Sequence, residues 1–135
     1  MSANQYEGSW TLIPELCIYE SGEVPVSGKY SISETGGVVA ITTEWTTTDG
    51  TAHSIEYGGP VDGSPQASDA PGVSKVVYQR IDKFTLDSTA YNDTGKVMYA
   101  RRKATEEGAL MSTVQVLYHE NVTYSNFQVY RKVED

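Results

Sequence analysis

The chain holds one cysteine, Cys17, in 135 residues. That excludes an intramolecular disulfide and any cysteine-built metal centre. Phenylalanine is scarce as well, two against ten tyrosines, so much of the apolar surface carries hydroxyls that need partners when buried. Basic side chains are the minority: ten Lys and Arg against 18 Asp and Glu leave a net charge of −8. Such a balance repels phosphate backbones and anionic lipid, which argues against nucleic acid as a partner. No run approaches the roughly 18 apolar residues needed to cross a bilayer, so no membrane insertion is expected. The opening Met1-Ser2-Ala3-Asn4-Gln5 lacks a basic start and an apolar core, and it does not read as a secretory signal. A cytoplasmic setting is the expectation. In that setting Asn92-Asp93-Thr94 and Asn121-Val122-Thr123 read as turn residues rather than glycosylation sites.

What the sequence does contain is β structure. Runs rich in Val, Ile, Thr and Tyr cover 9–13, 27–33, 38–47, 51–57, 74–81, 84–91, 96–104, 109–118 and 122–133. Gly, Asn and Asp punctuate them where turns need positive φ. Short turns between successive strands imply a meander, and closing it removes the exposed edges of an open sheet. The expectation is an all-β, closed antiparallel up-and-down barrel of about nine to ten strands, in one domain spanning 1–135. A domain that size buries roughly two-thirds of its unfolded surface and folds without staples. Two segments break the rhythm. Residues 14–25 hold two prolines and a glycine, and 58–72 hold three prolines and four glycines. The second is expected to be a long connection without internal structure, of the sort that often forms a lid.

Alternation assigns faces. Val39, Ile41, Thr43 and Trp45 share a side, as do His53, Ile55 and Tyr57. Val76, Tyr78 and Arg80 alternate with Lys75, Val77 and Gln79, and Tyr99 and Arg101 with Met98, Ala100 and Arg102. Tyr124, Asn126, Gln128 and Tyr130 oppose Ser125, Phe127, Val129 and Arg131. Several strands thus carry polar groups on both sides. An unpartnered buried polar group costs about 1–3 kcal/mol, so the pattern suits a partly wet interior better than a filled core.

Tyr6-x-Gly8-x-Trp10-x-Leu12 resembles the opening of the fatty-acid-binding proteins, and its Gly-x-Trp is shared with the lipocalins; both are calycins. The resemblance implies a barrel whose interior is the site, with Trp10 plugging the closed end and Arg131 as its cationic partner. Fatty-acid-binding proteins place Arg-x-Tyr on the last strand to hold a ligand carboxylate. Gln128-Val129-Tyr130 keeps the tyrosine and replaces the arginine by a neutral amide, losing a charge-assisted bond. Arg80, Arg101 and Arg102 are the arginines that would substitute.

The main functional expectation is non-catalytic binding of a small hydrophobic or aromatic molecule, as a carrier or sensor. Aromatic walls with a few convergent polar groups are what such pockets require. Trp45, His53, Tyr57, Tyr78, Arg80, Tyr99, Gln128 and Tyr130 are the candidate ligand-binding residues, with Gly8, Trp10 and Arg131 as structural signature. An alternative is an enzyme using His53 and Tyr57 as an acid–base pair. Some calycin-like barrels decarboxylate phenolic acids with paired tyrosines and an arginine. The resemblance also admits haem held by His53 or His119, although no cofactor is called for; zinc is a poor fit to two distant histidines and one cysteine. A filled barrel serving as an interaction protein, a homodimer through exposed apolar faces, completes the alternatives.

Overall fold

A computed structural model describes residues 4–68 and 72–133. Its strands in chain order are β1 Gly8–Leu12, β2 Ile18–Tyr19, β3 Ser27–Thr35, β4 Val38–Thr46, β5 Ala52–Pro60 and β6 Asp62–Ala67. They continue as β7 Lys75–Asp82, β8 Thr85–Asn92, β9 Gly95–Ala104, β10 Leu110–His119 and β11 Val122–Lys132. Among the described residues no helix is long and apolar enough to cross a membrane. Neighbours pair antiparallel in the order β5-β4-β3-β1-β11-β10-β9-β8-β7-β6, with the two-residue β2 added against β11. β1 joins the two arms, pairing with β3 on one side and β11 on the other. The sheet curls until its free ends, β5 and β6, meet. Tyr57 of β5 stacks on Tyr78 of β7 across that seam, ring centroids 6.5 Å apart. The result is a nearly closed antiparallel barrel.

The two irregular segments are more ordered than expected. Within 58–72, β5 runs on to Pro60, and Asp62–Ala67 pairs with β7 as β6. Residues 69–71 lie outside the described residues. Pro65 sits where the β6–β7 register shifts, on an outermost strand, the place in a sheet that tolerates a proline. Within 14–25, Pro14–Leu16 forms a 3-10 turn and Ile18–Tyr19 pairs with Phe127 and Asn126 of β11. The Asn126 side-chain oxygen then accepts from the backbone N–H groups of Glu20 and Ser21. This ties the segment down over the open end of the barrel.

Alternation on β3 is strict: Gly28, Tyr30 and Ile32 are buried between exposed Lys29, Ser31 and Ser33. The closed end packs Tyr6, Trp10, Ile32, Val39, Ile41, Leu86 and Met111. Trp10 is wholly buried, its indole N–H donating to the Tyr6 carbonyl at 3.0 Å. Burying an indole of about 200 Å² contributes roughly 5 kcal/mol. The cation over its ring is Lys132, at 5.1 Å, and not Arg131. Arg131 is exposed on the outer face, because strand parity gives the inner face to Tyr130 and Lys132. The Lys132 ammonium also donates to the Glu7 carbonyl at 2.9 Å. A second tie closes this end: Glu34 accepts from the Tyr6 hydroxyl and from Arg80, each at 2.5 Å.

Candidate functional site

The open half of the barrel encloses a cavity of about 400 Å³, within the usual range for small-molecule sites. Its wall includes Tyr19, Tyr30, Thr43, Trp45, Ile55, Tyr57, Met98, Gln128 and Tyr130. Trp45 is shared with an open groove on the rim beside Lys29, Glu44 and His53, but the hydroxyls collect inside.

Behind the wall lies Arg102, 2% exposed. Its Nε donates to the Tyr30 hydroxyl at 2.6 Å and an Nη to Ser88 Oγ at 3.0 Å. The ion pairs among the described residues join other groups, Arg80 to Glu34 and Arg101 to Asp87. Arg102 is therefore a buried cation held by hydroxyls, an arrangement that costs stability unless something compensates.

The guanidinium can only donate, and this sets the direction of the next bonds. Tyr30 accepts from Arg102, so its own proton goes to Tyr57, 3.1 Å away. The Tyr57 hydroxyl also pairs with Thr43 Oγ1 at 3.2 Å. Thr43 and Tyr57 both stand on the cavity wall. Burial pushes Tyr30 above the ordinary phenol value. Burial pushes Tyr57 up too, but the Arg102 charge and hydrogen bonds with Thr43 and Tyr30 outweigh it, leaving Tyr57 below 10. Its O–H is consequently a strengthened donor. Thr113, wholly buried and opposite both Arg102 and Gln128 in register, has no hydrogen-bond partner for its hydroxyl among the described residues.

The structure brings Trp45, Tyr57, Gln128 and Tyr130 together on the cavity wall. Tyr78 is buried behind Tyr57, its phenol pushed up to about 12 by burial first and then by Tyr57. His53 is exposed at the rim and stacked on Trp45, centroids 5.2 Å apart. It shares a strand face with Tyr57, but four residues of extended chain separate them by roughly 13 Å, too far for a direct acid–base pair. His119 is exposed at the end of β10. Among the described residues no three His, Cys, Asp or Glu side chains gather as metal ligands.

Two candidates lie elsewhere. Arg80 reaches Glu34 at the closed end. Tyr99 is on the outer face, its hydroxyl donating to Asp87 at 2.8 Å beside the Arg101–Asp87 pair. The inner residues of β9 are Met98, Ala100, Arg102 and Ala104, so of the three substitute arginines Arg102 is the interior one. Tyr30 and Tyr19 were missed. The clean alternation of 28–33 would have found Tyr30, whereas Tyr19 reaches the wall only because β2 folds over the open end.

Solved structures with this architecture are numerous. A mutant of the fluorescent protein UnaG superposes with a TM-score of 0.66 at 12% identity, covering 97% of this chain and 98% of its own. The fold is that of the calycin barrels. As-p18, an extracellular fatty acid binding protein, matches with a TM-score of 0.59 at 10% identity, over 98% of this chain and all of its own. A zebrafish ileal bile acid-binding protein complexed with cholic acid follows at 0.56 and 11%, over 96% and 100%. No protein-family model and no curated sequence matches the chain. At such identities the calycin likeness speaks for the fold alone.

Proposed function

We propose that this calycin barrel binds, without chemical change, a small molecule with an apolar body and an anionic head. The observation that carries the reading is Arg102, a buried cation relayed through Tyr30 and Tyr57 to the wall of a 400 Å³ cavity. An anion at Thr43 and Tyr57 would compensate the buried charge, and charge-assisted bonds are about twice as strong as neutral ones. Trp45, Ile55 and Met98 supply apolar wall for the body at about 25 cal/mol per Å² buried. The barrels of As-p18 and the zebrafish protein, which bind fatty acid and bile acid, lend support. Carrier and sensor roles are equally served by such a site, and the cytoplasmic setting and single domain belong to the same proposal.

Calorimetry with a monocarboxylate and the matching primary alcohol tests it. The carboxylate is expected to bind, and Arg102→Met to weaken it about tenfold or more while leaving the alcohol unchanged. Equal loss for both probes, or binding of neither by the unmutated protein, would refute the reading.

One observation favours a second reading. Tyr30 and Tyr57 hydrogen bond at 3.1 Å with Arg102 at 2.6 Å, which is a tyrosine pair with an arginine, and the Tyr57 phenol is lowered. Catalysis on a phenolic acid would then use this trio in place of His53. Release of carbon dioxide from 4-hydroxycinnamic acid, abolished in Tyr57→Phe, would establish it.

A further inference from the structure

Beside the Arg102 cluster the cavity wall carries a second chain of hydrogen bonds, beginning at Tyr130, whose ring meets that of Tyr30 edge-on at 5.2 Å between centroids. Tyr130 is 3% exposed, and its hydroxyl meets the Gln128 side-chain amide at 3.1 Å. A buried phenol with that one partner among the described residues gives it the proton, since an unpaired buried donor loses more than the bond is worth. Gln128 therefore turns Oε1 to Tyr130 and Nε2 to Tyr19, whose hydroxyl accepts. Tyr19 is left with its own O–H at the cavity wall near the mouth. Burial raises its phenol above the ordinary value, so that proton stays in place at neutral pH.

The two donor ends differ in their electrostatic surroundings. Thr43 and Tyr57 sit in the field of Arg102. Around Tyr19 the charges are acidic: Glu23 lines the cavity, and Glu20 follows Tyr19 directly, its carboxylate accepting from the Ser125 N–H. No Lys or Arg belongs to the described wall. An anion at Tyr19 would be desolvated with no cation on the described wall beside it, whereas a neutral acceptor meets a hydroxyl donor at smaller desolvation cost.

We infer that the ligand carries two unlike acceptors, an anionic head held at the Arg102 end and a neutral carbonyl-type oxygen held by the Tyr19 hydroxyl. This rests on the cavity being a binding site, and it makes Tyr19 the residue that reads the ligand's second acceptor. Gln128 is its positioning residue.

Tetradecanoic acid and the monomethyl ester of dodecanedioic acid have the same number of chain atoms and the same anionic head. They differ in whether the far end carries an ester carbonyl. Calorimetric affinities for both are measured with the unmutated protein, Tyr19→Phe and Gln128→Met, with thermal melting to confirm that each variant folds. The preference for the ester over the alkyl acid is expected to fall about five- to tenfold in Tyr19→Phe, read as the ratio of the two affinities within each protein. Gln128→Met is expected to reduce the same preference in part. A preference unmoved by Tyr19→Phe overturns the inference while leaving the anion site standing. If neither probe binds the unmutated protein, the cavity-binding reading fails and takes this inference with it.

Discussion

At the scale of single residues, the interior is organised by which groups can only donate. Arg102 makes Tyr30 accept, and Tyr30 donates to Tyr57, whose hydroxyl also pairs with Thr43. Thr113 stands beside this order without joining it, its buried hydroxyl unpaired among the described residues. Replacing that hydroxyl by a methyl group removes a desolvation cost and loses no bond. Thr113→Val is therefore expected to stabilise the ligand-free protein by about 1 kcal/mol, read as a higher urea midpoint at unchanged slope. A lower midpoint would mean that the hydroxyl is satisfied in solution. Tyr99 and Arg102, three residues apart, show what residue type alone misses. Both have side chains suited to a ligand, and only the face of β9 on which each falls separates the outer Asp87 partner from the cavity cluster.

At the scale of elements, the seam between β5 and β6 decides the shape of the barrel. β4 and β5 approach so closely at Gly58 that a Cβ there would lie 2.1 Å from the Val39 carbonyl oxygen. At Gly59 an added Cβ would meet Gln66 at 3.0 Å and Tyr78 at 3.4 Å. Glycine is what lets β5 pass beneath Tyr78 and present Tyr57 to Tyr30. Gly58→Ala is expected to destabilise the fold by about 2 kcal/mol, because a backbone atom cannot yield as a flexible side chain does. Chemical denaturation measures it, and a change within about 0.5 kcal/mol would show that the strands can spread. The glycines and prolines of 58–72 point in sequence to a loop. Backbone pairing with β7 and the tolerance of an outermost strand for proline make part of it β6 instead.

At the scale of the whole molecule, Glu34 joins the barrel to the segment that precedes it. Its carboxylate accepts from Tyr6 and Arg80, and the β3 N–H of Glu34 donates to Glu7 at 2.9 Å. Burial raises the Glu34 carboxyl, but the hydrogen bonds from Arg80 and Tyr6 prevail and hold it below its ordinary 4.5. A carboxyl lowered by folding stabilises fully above that ordinary value and loses its contribution as pH falls through the folded one. Arg80 is 40% exposed along its side chain, so the contribution is limited to about 1 kcal/mol. Glu34→Gln is expected to narrow the difference in urea midpoint between neutral pH and about pH 3 by that amount. An unchanged difference would place the acid sensitivity in other carboxylates.

The sequence by itself determined a great deal of this protein: an antiparallel barrel, a tryptophan plug at one end, and an interior with more hydroxyls than a filled core would hold. These follow from local rules. Period-two alternation, turn residues and the Gly8-x-Trp10 opening act within a few residues of one another. Tertiary structure alone decided the site. Tyr19, Tyr30, Arg102 and Gln128 come from four strands, and their meeting depends on register, on closure at Gly59 and on β2 folding over the mouth. Lys132 rather than Arg131 over Trp10 is an intermediate case. Parity with Tyr130 would have assigned it, but the ring it covers lies on β1, at the other end of the chain. Hydrogen-bond direction is likewise a property of the assembled cluster, because a tyrosine hydroxyl gives or takes a proton according to the neighbour that folding provides.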